Sequence, residues 1–364
     1  MTTAHPPLTL SVVIPCYNYE AFLAPAIESM LANSRPPDEI IVVDDGSRDA
    51  SAEVALRYPQ VRLVQKTNGG MASALNAGAA AATGDVLVLL DADDLADPGR
   101  IEWIERAFAG SDVCMAWHPL RIVTLDSGYR GTLPDVPLPA GDLIPGILAR
   151  GLTAFAVTSG IAVRRSAFDA VGPIPEDDFR AAAESYLVRT LPFIGRVVAC
   201  DEPLGTYRSH GGSDSRALPR IDRESTVAKL SRQIEAAANE HQLLSTSAER
   251  AGHAFPVARV RGLDPVYLAY VRLHARLAGQ SRRSAWRDLR TLPVDVPRRL
   301  THRRVWMFIS AGWFVLMPRT VAMAVYAIRG DHELNGLLRQ LARFYWLQRS
   351  ARSGIVGRLA RLMP

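Results

Sequence analysis

Four carboxylates, Asp91, Asp93, Asp94 and Asp97, stand within seven positions, directly after the apolar run Val86-Leu87-Val88-Leu89-Leu90. Like charges this crowded repel and resist burial, so they persist where they are solvated, cap a helix or are neutralised by a cation. Asp97 followed by Pro98 reads as an N-cap with proline at the first helical position. That leaves Asp91 and Asp93, whose alternation projects them to one side of an extended segment. Hard oxygen ligands in this pattern suit Mg²⁺ or Mn²⁺ that also carries phosphate oxygens.

The run in front of them is apolar on both faces, as expected of a central parallel strand covered by helices. Ligands bind beyond the carboxyl ends of such strands. The upstream chain repeats the unit. A strand over 8–14 ends at Pro15, and apolar residues at helical spacing follow from Phe22 to Leu31. A second strand spans 39–45, then a helix 50–58, a strand 61–65, the turn Asn68-Gly69-Gly70, and an alanine-rich helix 71–82. Alternation of this kind predicts an α/β fold with a mostly parallel sheet and right-handed crossovers. Beyond Gly110, DVCMAWHPLRIVTL reads as a β-hairpin, 158–163 and 196–200 as strands, and the stretches near 166–171 and 181–191 as helices. From Leu218 onward the pattern is mostly helical. The expected organisation is a first domain over 1–215, with halves 8–110 and 111–215, and a helical region over 216–364.

At 364 residues, 48% hydrophobic and 22% charged, the chain has ordinary globular composition. Three scattered cysteines, Cys16, Cys114 and Cys200, argue for a reducing compartment and against a cysteine metal site. The start MTTAHPPLTL lacks a secretory pattern, which points to the cytoplasm. Charge is uneven. Residues 281–364 carry sixteen arginines against four acids, a net +12, while the whole chain is +5, leaving −7 for residues 1–280. A basic end on an acidic body suggests an anionic surface as partner. The apolar stretch Val305–Ala327 is flanked by Arg298, Arg299, Arg303, Arg304 and Arg329 and interrupted by Pro318-Arg319. This favours a helix lying in a membrane interface over nucleic-acid binding, at the inner face of the cell membrane.

Four strand ends thus carry polar groups toward one crevice. Their order, SVVIPCYN…IIVVDDGSRD…NGGMASALNAGAAAATGDVLVLLDADD, resembles the nucleotide-binding half of inverting family 2 glycosyltransferases, which have the GT-A fold. The resemblance is strong over about 10–110 and extends more loosely to about 215. It implies a nucleotide-sugar donor, a UDP- or dTDP-sugar, held by Pro15, Tyr17, Asn18, Asp45, Asn68, Gly69, Gly70 and Asp91-Ala92-Asp93. Asp91 would contact ribose and Asp93 would bind Mg²⁺ or Mn²⁺. The family's base is an acid at the head of a helix; here ESYLVR offers Glu184, departing from the commoner Glu-Asp pair, with Asp177 and Asp178 as substitutes. The segment TYRSH implies Arg208 toward the diphosphate and His210 toward the metal. Arg164 and Arg165 are candidates for an acceptor phosphate. The acceptor would be a glycan or lipid-linked saccharide in polysaccharide or surface-glycan synthesis. Rival readings are a metal-dependent phosphohydrolase and a non-catalytic binding protein. A dinucleotide oxidoreductase is disfavoured because no GxGxxG follows the first strand.

Overall fold

The computed structural model describes residues 8–124, 128–152, 154–210, 223–263 and 271. The chain divides into one compact unit of Met1–His210 with Gln242–Phe255 and a second of Gly211–His241 with Pro256–Pro364.

In the first unit β1 (Leu10–Cys16), α1 (Glu20–Leu31), β2 (Glu39–Asp44), α2 (Ser51–Leu56), β3 (Val61–Gln65), α3 (Met71–Ala81) and β4 (Val86–Leu89) follow the anticipated alternation. Next come β5 (Leu95–Ala96), α4 (Arg100–Ala107), β6 (Val113–Trp117), β7 (Leu120–Thr124), β8 (Gly128–Leu133) and α5 (Ile144–Arg150). The unit continues with β9 (Ile161–Arg164), α6 (Arg165–Val171), α7 (Glu184–Thr190), β10 (Arg196–Ala199) and β11 (Gly205–Ser209). A seven-stranded sheet has the order β10-β6-β9-β4-β1-β2-β3 and a four-stranded one β5-β11-β7-β8. The large sheet is parallel except for β9, which enters antiparallel between β4 and β6.

β1 and β4 are buried at every residue, as strands covered on both faces must be. α1 buries Leu23, Ala26, Ile27 and Met30, a stripe at i, i+3, i+4 and i+7, and each large side chain there contributes roughly 1.5–3 kcal/mol. α3 packs so tightly on the sheet that a Cβ at Gly78 would collide with Val13, so only glycine allows this approach. The first turns of α1 and α2 cap each other. Asp49 Oδ2 accepts the Glu20 N–H at 3.0 Å, and Glu20 Oε2 accepts the Ala50 N–H at 2.8 Å. These bonds satisfy N-terminal donors that no residue within the helix reaches.

Four expectations are corrected. β6 and β7 are not a hairpin: β6 lies between β10 and β9 while β7 pairs with β11 and β8 in the other sheet. Asp97 does not cap a helix. α4 begins at Arg100, and the Asp97 carboxylate pairs instead with Arg121, a partner no local pattern reveals. The stretch 158–163 opens as a 3₁₀ turn over Thr158–Gly160 before β9 starts. Arg164 and Arg165 do not face a phosphate. Arg164 donates to the Phe108, Gly110 and Val113 carbonyls, and Arg165 to Ala79, Ala82 and Gly84. Both guanidinium groups close the carbonyl ends of α4 and α3, where positive charge is favoured.

The last turns of α8 (Arg223–Arg250) and the residues after it bury Ala248 and Phe255 within the first unit, with Ser245 Oγ donating to the Phe255 carbonyl. The second unit contains the earlier part of α8 and α9 (Val257–Leu263). Val305–Ala327 and the arginine-rich end lie outside the described residues. Among the described residues no helix is long and apolar enough to cross a membrane.

Candidate active site

The carboxyl ends of β1, β2 and β3 stand in register, Cys16 beside Asp44 and Asp44 beside Gln65. Pro15 is buried within β1, and Tyr17 just beyond it is 39% exposed. Asn18 sits at φ 57°, a left-handed conformation asparagine tolerates, and is laced to the β2 end: its N–H donates to Ser47 Oγ and its Oδ1 accepts the Arg48 N–H. Asp45 is 3% exposed, and its oxygens face the chain itself. Oδ1 accepts Lys66 Nζ at 2.8 Å and the Gly69 N–H at 2.9 Å, while Oδ2 accepts the Gly70 N–H at 2.7 Å. Asp45 therefore fixes the glycine turn to the end of β2.

That turn is clasped from its other side by Arg180, whose guanidinium donates to Asn68 Oδ1 at 2.6 Å and to the Gly69 carbonyl at 3.0 Å. The Arg180 carbonyl accepts the Met71 N–H at 2.7 Å. Gly70 is at φ 88°, and a Cβ there would lie 2.6 Å from the Arg180 carbonyl oxygen. The open side of this glycine is thus filled by the segment that leads into α7.

The aspartates after β4 form a turn and not an extended segment, with the Asp94 N–H donating to the Asp91 carbonyl at 3.0 Å. Asp91 Oδ1 and Asp94 Oδ2 are buried with no hydrogen-bond partner among the described residues. Burial, then the charges of Asp94, Asp93 and Glu184, push the Asp91 carboxyl well above the ordinary aspartate range. Burial and the charge of Asp93 push Asp94 up to about 7, against the opposing pull of Ser159 and Arg208. Behind them lies Arg100, fully buried, with Nη2 on the Leu89 carbonyl at 2.8 Å and with Nε and Nη1 lacking a hydrogen-bond partner among the described residues. Burial lowers its pKa to about 10, and the nearby charges of Asp94, Asp97 and Asp91 oppose that shift. An arginine in an amphipathic helix reads as solvated, so no sequence signal marked this counter-charge.

The second half of the unit meets the turn at Thr158-Ser159. Ser159 Oγ accepts the Asp91 N–H at 2.9 Å, and Thr158 Oγ1 donates to Glu184 Oε2 at 3.3 Å. Glu184 heads α7, as the sequence suggested, and its charge is felt at Asp91. Asp177 and Asp178 are exposed in the loop before it.

β11 brings in Arg208 and His210. Arg208 does not present a free fork. Its Nε donates to the Asp93 carbonyl, its Nη2 to the Phe22 carbonyl at 2.9 Å and to the buried Ala92 at 3.5 Å, and its N–H to Asp94 Oδ1 at 3.1 Å. It holds the acidic turn in shape instead of reaching outward. His210 Nε2 lies 3.2 Å from Asp93 Oδ2. Among the described residues no three His, Cys, Asp or Glu side chains gather closely enough to enclose a metal ion. The Asp93–His210 pair nevertheless has the separation of neighbouring ligands on an octahedral ion with bonds of about 2.1 Å, and a two-donor set fits a cation completed by phosphate and water.

Residues 11–172 match the family described as Glycosyl transferase family 2. An uncharacterized glycosyltransferase of Nostoc sp. is 35% identical over 217 residues, covering 57% of this chain and 66% of that protein. EpsJ, an uncharacterized glycosyltransferase of Bacillus subtilis, is 38% identical over 89 residues, covering 23% of this chain and 26% of its own length. The matched region is thus somewhat under two thirds of the first relative and about a quarter of the second. S. aureus TarS, crystallised in complex with UDP-GlcNAc, overlays with a TM-score of 0.48 at 16% identity, covering 88% of this chain and 91% of that one. A superposition that loose carries no argument about ligand or chemistry.

Proposed function

The chain belongs to glycosyl transferase family 2, and from that premise we propose that it transfers a sugar from a nucleoside-diphosphate-sugar, with a UDP- or dTDP-sugar as the first candidate, to a glycan or lipid-linked acceptor with inversion at the anomeric carbon. The observation that carries this reading is the meeting of Glu184 and the Asp91–Asp94 turn across Thr158-Ser159, which joins a base candidate to a donor-binding candidate. Inversion needs a carboxylate that takes the acceptor hydroxyl proton while that oxygen attacks the anomeric carbon and the bond to the diphosphate breaks. Glu184 Oε2, restrained by Thr158, is that base. Pro15, Tyr17 and Asn18 line the base and ribose end. Asp45, Lys66 and Arg180 act on the donor indirectly, by fixing the Asn68–Gly70 turn. Asp91 faces the ribose, and Arg208 keeps the turn from unravelling.

Asp93 and His210 would hold Mg²⁺ or Mn²⁺, which when bound supplies charge neutralisation to the departing diphosphate. The acidic surplus of the turn supports that role, since among the described residues Asp91 Oδ1 and Asp94 Oδ2 are buried with no hydrogen-bond partner, and a nearby cation would favour the ionised carboxylates. The arginine-rich end would bring the enzyme to an anionic membrane surface, where lipid-linked acceptors reside.

Replacing Glu184 by Gln tests the assignment. Retained donor binding, read as a thermal shift by nucleotide-sugars with Mn²⁺, together with transfer reduced at least about 100-fold, is the expected result. Unchanged transfer would remove Glu184 from the mechanism. Donor cleavage at the full turnover rate without any acceptor would make the protein a hydrolase.

A further inference from the structure

Phe22 is on α1, where an apolar residue at helical spacing reads as core, yet it is not part of the stripe that α1 buries against the sheet. Its ring is half-buried and turned to the acidic turn. The His210 imidazole lies on it with centroids 4.1 Å apart and planes 21° from parallel, and the Arg208 guanidinium carbon is 5.2 Å above the same ring. Tyr19, one turn earlier, meets both rings edge-on, at 6.0 Å from His210 and 6.1 Å from Phe22. A stack fixes the plane of an imidazole, and the 3.2 Å contact to Asp93 Oδ2 fixes its rotation within that plane. The Phe22 carbonyl also accepts Arg208 Nη2. One residue therefore restrains, through both its ring and its backbone, the Arg208 and His210 side chains that meet the Asp91–Asp94 turn.

We propose that Phe22 is a positioning residue: its ring holds the His210 imidazole and the Arg208 guanidinium in place, and so sets the affinity of the Asp93–His210 pair for a divalent cation. This rests on the metal-dependent reading above. Groups that orient a metal ligand from behind typically change affinity 10- to 100-fold when removed. Phe22 touches neither cation nor substrate, so its influence must pass through His210 and Arg208.

The test is Mn²⁺ binding to the full-length chain, followed by the electron paramagnetic resonance signal of free Mn²⁺. Phe22→Leu, which keeps apolar bulk but has no ring face, is expected to weaken binding about 10-fold. Phe22→Tyr, which keeps the face, should stay within about 2-fold of wild type. His210→Ala should weaken binding as well, and adding Phe22→Leu to it should cost little more, because the stack has already lost its partner. Phe22→Met stands in if the leucine variant does not fold. Wild-type affinity in the ringless variants, or a full additional loss on the His210→Ala background, overturns the positioning role while leaving the metal reading intact. A wild-type chain that takes up no Mn²⁺ overturns the metal reading and this inference together.

Discussion

Replacing Asp45 by alanine removes three hydrogen bonds in one step. The carboxylate accepts the Gly69 and Gly70 N–H groups at 2.9 and 2.7 Å and Lys66 Nζ at 2.8 Å. A hydrogen bond to a charged group contributes about 1.5–3 kcal/mol. Gly69 and Gly70 are only part-buried, so water recovers some of the loss and the lower figure applies to each backbone bond. Lys66 is 22% exposed on its side chain, so its ion pair adds at most about 1 kcal/mol. The expected loss is therefore about 3 kcal/mol for Asp45→Ala. Asp45→Asn should lose about 2 kcal/mol, since the amide keeps one acceptor but turns an NH₂ toward a backbone N–H. Lys66→Met should lose under about 1 kcal/mol. Urea denaturation followed by circular dichroism gives these differences as midpoint shifts at constant slope. Hydrogen exchange by mass spectrometry over 65–75 should locate the loosening in the glycine turn. An alanine variant within about 0.5 kcal/mol of wild type, with exchange in that peptide unchanged, would refute the anchoring role and return Asp45 to a purely donor-facing one.

Arg180→Ala should raise the donor dissociation constant about 5-fold, the equivalent of about 1 kcal/mol for the exposed bonds to Asn68 and Gly69, with stability unchanged within about 0.5 kcal/mol; isothermal calorimetry and urea midpoints check both. His118 has its pKa held well below the usual 6.5 by burial and then by the Arg100 charge, so the unfolded chain takes up a proton there before the folded one does. Its contribution to stability is complete above about pH 6.5 and shrinks as the pH falls from there, by at most about 1.4 kcal/mol per pH unit. His118→Asn should flatten the wild-type decline between pH 6.5 and 5 by up to that slope, and an identical decline in both proteins would sink the assignment. Finally, full-length protein should float with anionic liposomes, and changing Arg298, Arg299, Arg303 and Arg304 to Gln should release it; equal flotation of the two would count against the basic end as membrane contact.

The first eighty residues of the fold were legible because apolar runs and 3.6-residue stripes there obey simple burial: β1 and β4 are covered on both faces, and α1 buries its own stripe. What sequence reasoning missed depends on partners distant in the chain. A hairpin and a crossing between two sheets share one local pattern, so β6 and β7 could not be assigned to different sheets. Asp97 has the look of a helix cap until Arg121 competes for it. Arg164 and Arg165 resemble an anion site, but helix-end carbonyls from 54 and 86 residues away have already taken them. Within the site, residue types were readable while their duties were not. Asp45 and Arg208 bind the chain itself, and Arg100 and Phe22 are invisible because a helix pattern files one as surface and the other as core.

The reversed strand β9 bears on how this chain can be cut. Among the described residues Val86–Leu89 finds its outer neighbour in residues 161–164, so a fragment ending near 110 would leave that edge of the apolar β4 unpaired, an invitation to intermolecular pairing. The half over 8–110 is consequently no transplantable module, and the family match running on to residue 172 takes in the missing strand. Chimaeras or split reporters built from this scaffold should place their junction beyond β9.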